Sequence, residues 1–437
     1  MSHPTFLLHT LGCKINQYES QALSEAWQRQ GYRESRPGEQ VDWAVVNSCA
    51  VTADAVQQVR KAVRKLHRTH PQAAIVVTGC AAQIFPEDMA GLPGVTRTVA
   101  QQAKSGLCAG PASADQALRE ADRFPEFTIS SYPRARGVLK VQDGCSHGCT
   151  YCIVPHTRGP AVSRPPAESL AEAERLLKSG VRELVLSGIN LRQFGRDLDP
   201  RLDFWDFLSW LDDHLAQQWA GRARLRLSSL EPSELTAKAL ATLASCRLVA
   251  PHLHLSLQSG SPEVLRRMGR GHYHPNAVRE FVHGLRAIWP HFALGADFLL
   301  GFPGEDDAAF AATADLVREL PFTYGHVFPY SARPGTPAAA FADQVPEPVK
   351  RERCALLRQE LAQKRGLFLQ QQSRREHVEF IVETHPAQGM SETYIPCREI
   401  SGGTAALRSL VRARPVGQDD HGLLVAMHEH HLNRSTT

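Results

Sequence analysis

Apolar and polar residues alternate along this chain in two separate series. In the first hundred residues, TFLLHT (5–10), DWAVVNS (42–48), AAIVVTG (73–79) and VTRTVA (95–100) have the length and β-branched content of strands. Polar stretches with helical spacing lie between them, from Asn16 to about Gln30 and from Ala53 to His70. Strands alternating with helices predict an open parallel α/β sheet. A second series follows, with strands expected at 137–144, 183–188, 224–229, 252–260, 294–301 and 325–331. Helical patterns fill the gaps. PPAESLAEAERLLKSG, for example, has proline near its start and Gly180 past its end. Six such β/α units predict an incomplete barrel of the TIM type, a partial (β/α)6 fold.

Residues 101–133 mix Pro, Ser, Ala and Gly and read as a linker. From Pro346 to about Arg375 the chain is highly charged with helical spacing. Beyond it, short apolar runs such as VEFIVE and GLLVAM are separated by Gly and Pro, as in a small β-rich domain. The expected organisation is an N-terminal α/β domain (1–105), a linker (106–133), a barrel domain (134–372) and a small β domain (373–437).

At 437 residues the chain is too long for one small core. Its 43% hydrophobic and 22% charged residues are those of an ordinary soluble protein, neither disordered nor fibrous. A formal charge of +4 permits nucleic-acid binding without demanding it. The N-terminus, MSHPTFLLHTLGCKIN, has no basic n-region, long apolar core or A-x-A site, and no apolar run is long enough to span a bilayer. A cytoplasmic protein without a membrane partner is expected. In a reducing cytosol, clustered or regularly placed cysteines among the ten read as metal ligands or catalytic groups.

Cys145, Cys149 and Cys152 form C-x3-C-x2-C directly after an expected strand. Three thiolates hold three corners of a [4Fe–4S] cluster and leave one iron open for a substrate or cofactor. A zinc site remains an alternative, with His147 or His156 as fourth ligand. Barrels of this kind place their active face at the carboxyl ends of the strands. Ser187-Gly188-Ile189-Asn190, Ser228-Ser229-Leu230-Glu231, Gln258-Ser259-Gly260 and Gly301-Phe302-Pro303-Gly304 follow successive strands there. Cys13, Cys49 and Cys80 are far apart in sequence, but each follows a strand of the first series. Ligands of open α/β sheets bind beyond those strand ends, so the three thiols can converge on one edge. Three separately buried cysteines are the alternative. Cys108, Cys246, Cys354 and Cys397 show no such pattern and read as inert thiols.

CSHGCTYC at a strand end, followed by a β/α series, resembles the radical S-adenosylmethionine (SAM) superfamily. TLGCKINQYES, VVNSCAVT, VTGCAAQ, CTYCIVPHTRG, SRP (163–165), ADFLLGFPGE and FPYSARPGTPA resemble, more narrowly, its methylthiotransferases. Leu11-Gly12-Cys13-Lys14-Ile15-Asn16-Gln17-Tyr18-Glu19 is similar to the branch acting on N6-threonylcarbamoyladenosine next to the anticodon. In the isopentenyladenosine branch Gln-Met usually replaces Lys14-Ile15. In the branch modifying a ribosomal protein aspartate, Pro-Lys-Asn usually follows the cysteine.

The resemblance implies a radical-generating cluster on Cys145, Cys149 and Cys152, with SAM on its open iron. It implies an auxiliary [4Fe–4S] cluster on Cys13, Cys49 and Cys80 that carries the sulfur to be transferred. SAM then serves as methyl donor and as source of the radical that takes hydrogen from carbon 2 of the adenine. That carbon has no useful acidity, so radical chemistry replaces a general base, and the cofactor carries the hard step. Ser187, Gly188 and Asn190 are implied contacts of the methionine part of SAM. Gln258, Asp297 and the Gly301–Gly304 loop are further candidates, and Arg158 and Arg333 are candidates for carboxylate or phosphate contacts. The implied partners are tRNA, through adenosine 37 of its anticodon loop, an electron donor such as flavodoxin or ferredoxin, and a sulfur source.

Other readings stay open. They are the same chemistry on isopentenyladenosine or a protein, a zinc-containing RNA-binding protein, and an iron–sulfur electron carrier. Arg60, Lys61, Arg64, Lys65 and Arg68 share one helical segment and suit either a tRNA backbone or water. Arg134 and Arg136 read likewise. The family usually ends in a small RNA-binding barrel, TRAM. Here residues 373–437 match its size, but their seven Arg and no Lys stand against eight Asp plus Glu. A barrel gripping phosphates should be basic. His428, His430 and His431 are a possible metal-binding tract.

Overall fold

The computed structural model describes residues 3–113 and 123–427. The histidine tract at 428–431 lies outside them. Four of the N-terminal strands form where the apolar runs lie: Thr5–Thr10, Trp43–Ser48, Ala74–Gly79 and Val95–Ala100. They pair in parallel, and a two-residue strand, Arg33–Glu34, adds an edge that periodicity is too short to reveal. Helix Ala53–Thr69 closes one face by burying Val56, Val59, Val63 and Leu66 at i, i+3, i+4 spacing. Helix Lys14–Arg29 differs, because its buried face includes Asn16, Glu19, Ser20 and Ser24 beside Tyr18, Leu23 and Trp27. Of these, Asn16 and Glu19 meet Arg158 and Lys140 of the second domain, while Ser20 bonds to Thr10 and Asn47 of the first.

All six barrel strands are present, at Arg136–Lys140, Glu183–Ser187, Arg224–Leu227, His252–Gln258, Ala293–Leu300 and Phe322–Pro329. They split into two parallel sheets. The chain crosses the seam at Ser228, and the short strand Ser229–Leu230 then pairs with His252–Gln258. Helices Pro166–Lys178, Phe204–Trp219, Ala237–Ser245, Pro275–Ile288 and Asp307–Glu319 cover the outside.

The described parts of the segment read as a linker are more ordered than their composition suggests. Gln101–Ala109 is a 3-10 helix, and Phe127, Ile129 and Tyr132 are buried in the shared core. The Tyr18 hydroxyl donates to the Phe127 carbonyl at 2.8 Å and to Glu172 at 2.9 Å, fastening the two domains.

Helix Glu347–Ser373 leads to a closed barrel of five strands, Val378–Thr384, Gln388–Ser391, Pro396–Glu399, Leu410–Asp419 and Gly422–Ala426. It caps the amino ends of the central strands. Arg226 donates to the Ser391 carbonyl at 2.9 Å and Arg224 to that of Met390 at 2.6 Å, while both hold Glu183. Among the described residues no helix is long and apolar enough to cross a membrane.

Candidate active site

Each N-terminal cysteine sits where its strand turns into a helix. Cys13 precedes helix Lys14–Arg29, Cys49 follows Ser48, and Cys80 opens the short helix Cys80–Ile84. The turns are tightly built. Gly12 has φ +95°, and a Cβ there would stand 2.8 Å from Cys49 Cβ and 3.0 Å from its sulfur. Gly79, also at φ +95°, would strike the Ser48 backbone. Asn16 donates to the carbonyls of Leu11 and Ser48 at 2.8 and 3.0 Å, tying two turns together. Cys49 and Cys80 are buried and Cys13 is exposed. Burial, with the neighbouring Cys80 and Cys13, pushes the Cys49 thiol up to about 11. Burial also raises Cys80, against the pull of Arg158 and Lys104.

The second triad occupies the loop after the first barrel strand. Gly144 (φ +68°) lets that loop pass so close to Pro160 that no Cβ fits, and the Cys145 N–H donates to the Gly159 carbonyl at 3.0 Å. Thr150 pins the loop to the Arg267 and Met268 carbonyls at 2.8 and 3.0 Å. Burial first, then Cys149 and Cys145, push Cys152 up to about 12. Thiols so placed need positive groups or a metal before they ionise. Arg270 supplies one. It donates to Cys149 at 3.6 Å and pairs with Glu231 at 2.7 Å. No local motif marked Arg270, which lies 121 residues from Cys149.

The expected SAM contacts fall into three groups. Of Ser187, Gly188 and Asn190, it is Asn190 that reaches the second triad, while the Ser187 hydroxyl donates back to the Val185 carbonyl at 3.3 Å. Asn190 donates to Cys145 at 3.7 Å, and its backbone N–H is held by Gln142 at 2.8 Å. A Cβ on Gly188 would meet Gln142 at 2.9 Å. Gln258 is a non-glycine residue at φ +68°, at a register shift in its strand. Gly301 and Gly304 spend their N–H groups on a turn, donating to Glu305 at 2.8 Å and to the Asp343 carbonyl at 2.9 Å. Asp297 lies between His254 (3.0 Å) and His326 (3.1 Å).

Between the two triads lies a buried ion network. Glu19 accepts from Lys104 at 2.6 Å, Lys140 at 2.7 Å and Arg158 at 2.9 Å. Asp143 accepts from Lys140 at 2.8 Å and Arg158 at 2.9 Å. Burial opposes ionisation of Glu19, yet Arg158, Lys104 and Lys140 hold its carboxyl well below the usual range. Arg158 is therefore neither a surface salt bridge nor an open anion contact. It is bound within this network, where Cys80 and Cys13 also feel its charge. Arg333 is the reverse case. It is 5% exposed, and its Nε and Nη2 have no hydrogen-bond partner among the described residues. Its charge acts on Cys49, and its guanidinium lies 5.8 Å from the Phe85 ring.

The donor set fits iron–sulfur clusters better than zinc. Tetrahedral zinc brings thiolates to about 4 Å of one another. Among the described residues, the set of three possible ligands whose atoms all fall within 4.8 Å is His254, Asp297 and His326, and neither cysteine triad closes so far. His147, a candidate zinc ligand, directs Nε2 to the Gly269 carbonyl at 3.1 Å.

Two family models match the chain: Uncharacterized protein family UPF0004 over residues 5–100, and the Radical SAM superfamily over residues 139–317. A Bacillus subtilis protein named threonylcarbamoyladenosine tRNA methylthiotransferase MtaB is 35% identical over 80% of this chain and 78% of its own length. The Chlamydia pneumoniae protein of that name is 36% identical over 96% and 97%. A tRNA-2-methylthio-N(6)-dimethylallyladenosine synthase from Sphingopyxis alaskensis is 34% identical over 84% of each chain. The radical S-adenosylmethionine methyltransferase TsrM from Kitasatospora setae shares the fold. It has a TM-score of 0.56 and 15% identity, covering 78% of this chain and 77% of its own. Two strand-edge cysteine triads, a partial barrel and relatives spanning nearly the whole chain give one conclusion: the protein belongs to the radical SAM methylthiotransferases, enzymes that work with SAM and two [4Fe–4S] clusters.

Proposed function

We propose that this enzyme converts N6-threonylcarbamoyladenosine of tRNA to its 2-methylthio derivative. The observation that carries the reading is the set of relatives so named, 31–36% identical over 80% or more of this chain. Lys14-Ile15 after Cys13 supports the same branch.

Cys145, Cys149 and Cys152 would hold the radical cluster, and Cys13, Cys49 and Cys80 the auxiliary one. When bound, these groups and SAM supply the one-electron chemistry and the sulfur that an unactivated adenine carbon requires. The chain's residues do the rest. Asn190 and Arg270 hold Cys145 and Cys149 by hydrogen bonds to sulfur. Arg158, Lys104 and Lys140 lock the two triads at a fixed separation. On helix Ala53–Thr69, Lys61, Arg64, Lys65 and Arg68 face outward and meet the tRNA backbone, while Arg60 is half-buried and pairs with Asp88 at 2.9 Å. The electron donor and the sulfur source act from outside the chain, in the cytoplasm.

The test is mass spectrometry of tRNA nucleosides from a strain lacking its own methylthiotransferases, with and without this protein. Appearance of 2-methylthio-N6-threonylcarbamoyladenosine is expected. A methylthiolated isopentenyladenosine instead would overturn the substrate. Cys145→Ala should abolish both SAM cleavage and product. Cys49→Ala should keep SAM cleavage and lose the product, and product from that variant would remove the auxiliary role.

A further inference from the structure

Three neighbouring strands of the second central sheet, His252–Gln258, Ala293–Leu300 and Phe322–Pro329, each contribute a metal-ligating side chain outside both cysteine triads. Asp297 stands opposite His326 in register, and His254 comes from the strand on the other side. Asp297 Oδ1 lies 3.0 Å from His254 Nε2 and 3.1 Å from His326 Nδ1. One donor atom from each residue falls within 4.8 Å of the other two. The three ligands therefore sit on paired strands, which hold them in place before anything binds.

Hydrogen bonds explain the two short distances, but they leave a carboxylate without a cation. A charge largely withdrawn from water is ordinarily paired or coordinates a metal. The Asp297 side chain is 23% exposed, and no lysine or arginine pairs with it among the described residues. Its Oδ2 has no hydrogen-bond partner among them either. Metal bonds of about 2.0–2.2 Å to imidazole nitrogen and carboxylate oxygen set adjacent donors about 3 Å apart, the spacing found here. His254 also has the outer support of a ligand. Its Nδ1 meets the Tyr324 hydroxyl at 3.0 Å, and that hydroxyl meets His252 at 2.7 Å. A histidine that donates its Nδ1 proton to such a partner presents an unprotonated Nε2 to a metal.

We propose that His254, Asp297 and His326 bind one divalent first-row transition ion, zinc foremost, through a donor set that contains no cysteine. Two imidazoles and one carboxylate suit such an ion, whereas magnesium and calcium favour oxygen donors throughout. The ion supplies the positive charge that Asp297 lacks. Exposure decides which side of it stays open. The His254 side chain is 7% exposed and that of His326 57%, so the third strand forms the accessible edge. Structural zinc closes with four protein ligands, while three leave a position for an exchangeable one. Water, or a carboxylate or carbonyl oxygen of a bound molecule, is the class of ligand that this position takes. Asp297 then serves the ion and not SAM.

The test uses the full chain with its clusters reconstituted anaerobically, freed of loose metal on a chelating resin and titrated with zinc(II) or manganese(II). Retained zinc is counted by elemental analysis after gel filtration, and bound manganese by loss of the aqueous six-line EPR signal. The wild type should hold one equivalent of either ion, zinc the more tightly. His326→Ala and Asp297→Asn should each weaken zinc binding by about tenfold or more, and Tyr324→Phe by about tenfold through the outer support of His254. Iron and sulfide are measured on every sample, so that zinc on unfilled cysteines is recognised. Should Asp297→Asn lose its clusters, His326→Ala decides, because that side chain is mostly exposed. A wild type that retains no zinc overturns the proposal and leaves the three side chains a hydrogen-bonded set. Zinc retained equally by the wild type and His326→Ala, at equal cluster content, places the metal elsewhere and overturns it too.

Discussion

Arg333 combines near-complete burial, two guanidinium nitrogens without partners among the described residues and a position beside Cys49. A buried charge without hydrogen bonds is costly, so the side chain is poised for an anion at that edge. Arg333→Met should lower methylthio-product formation about ten- to a hundredfold, while SAM cleavage without tRNA changes much less. Equal losses in the two assays would place Arg333 elsewhere in the reaction. At this scale the sequence was informative wherever a residue type recurs in a pattern. Cys13, Cys49 and Cys80 could be grouped because each ends a strand. Arg270 and His254 could not, because their partners are set by the closing of the barrel rather than by neighbours in the chain.

Among elements, the main strands of the two parallel series were read to within about four residues at either end, since their apolar runs are bounded by glycine and polar turns, while Gln388–Ser391, Pro396–Glu399 and Leu410–Asp419 of the small barrel were not placed. Helix Lys14–Arg29 was read as merely polar, and its buried face of Asn16, Glu19 and Ser20 was not foreseen. Periodicity counts apolar residues, and a face stabilised by paired charges leaves no apolar stripe. Strand Glu183–Ser187 shows the same device. Burial disfavours the Glu183 carboxylate, but Arg226 and Arg224 hold it far below the ordinary carboxylate range. A depressed folded-state value stabilises the protein above the unfolded value and is lost as pH falls through and below it. Urea unfolding should therefore show stability falling as pH drops from about 5 toward 2. Glu183→Gln should be less stable at neutral pH by about 3–5 kcal/mol and should lose less on acidification. An unchanged acid slope would mean that other carboxylates dominate.

At the scale of the whole molecule, the small closed barrel does more than extend the chain. Tyr394 reaches the floor of the central barrel, its ring 4.7 Å from His252 and 5.6 Å from Tyr324, with Arg226 at 5.1 Å. Several of its arginines are already engaged. Arg375 pairs with Glu392 and Arg398 with Asp419, while Arg408 holds the Tyr132 carbonyl. Its near-balanced charge, legible in composition, thus has a structural counterpart in a role as floor. A chain ending at Ser373 should melt at lower temperature and lose SAM cleavage as well as tRNA affinity. Loss of affinity alone would make the barrel a detachable RNA module.

Among the described residues, the network at the domain boundary sets Lys104, Lys140 and Arg158 against Glu19 and Asp143. Reduction potentials of iron–sulfur centres respond to net charge and solvent access nearby. The positive charges of Arg158 and Lys104, fixed beside Cys80, favour the electron-rich state of whatever that thiol holds. The bond between the two domains is therefore also an electrical bias. Any change that pries them apart would make the auxiliary centre harder to reduce before it touched a single ligand.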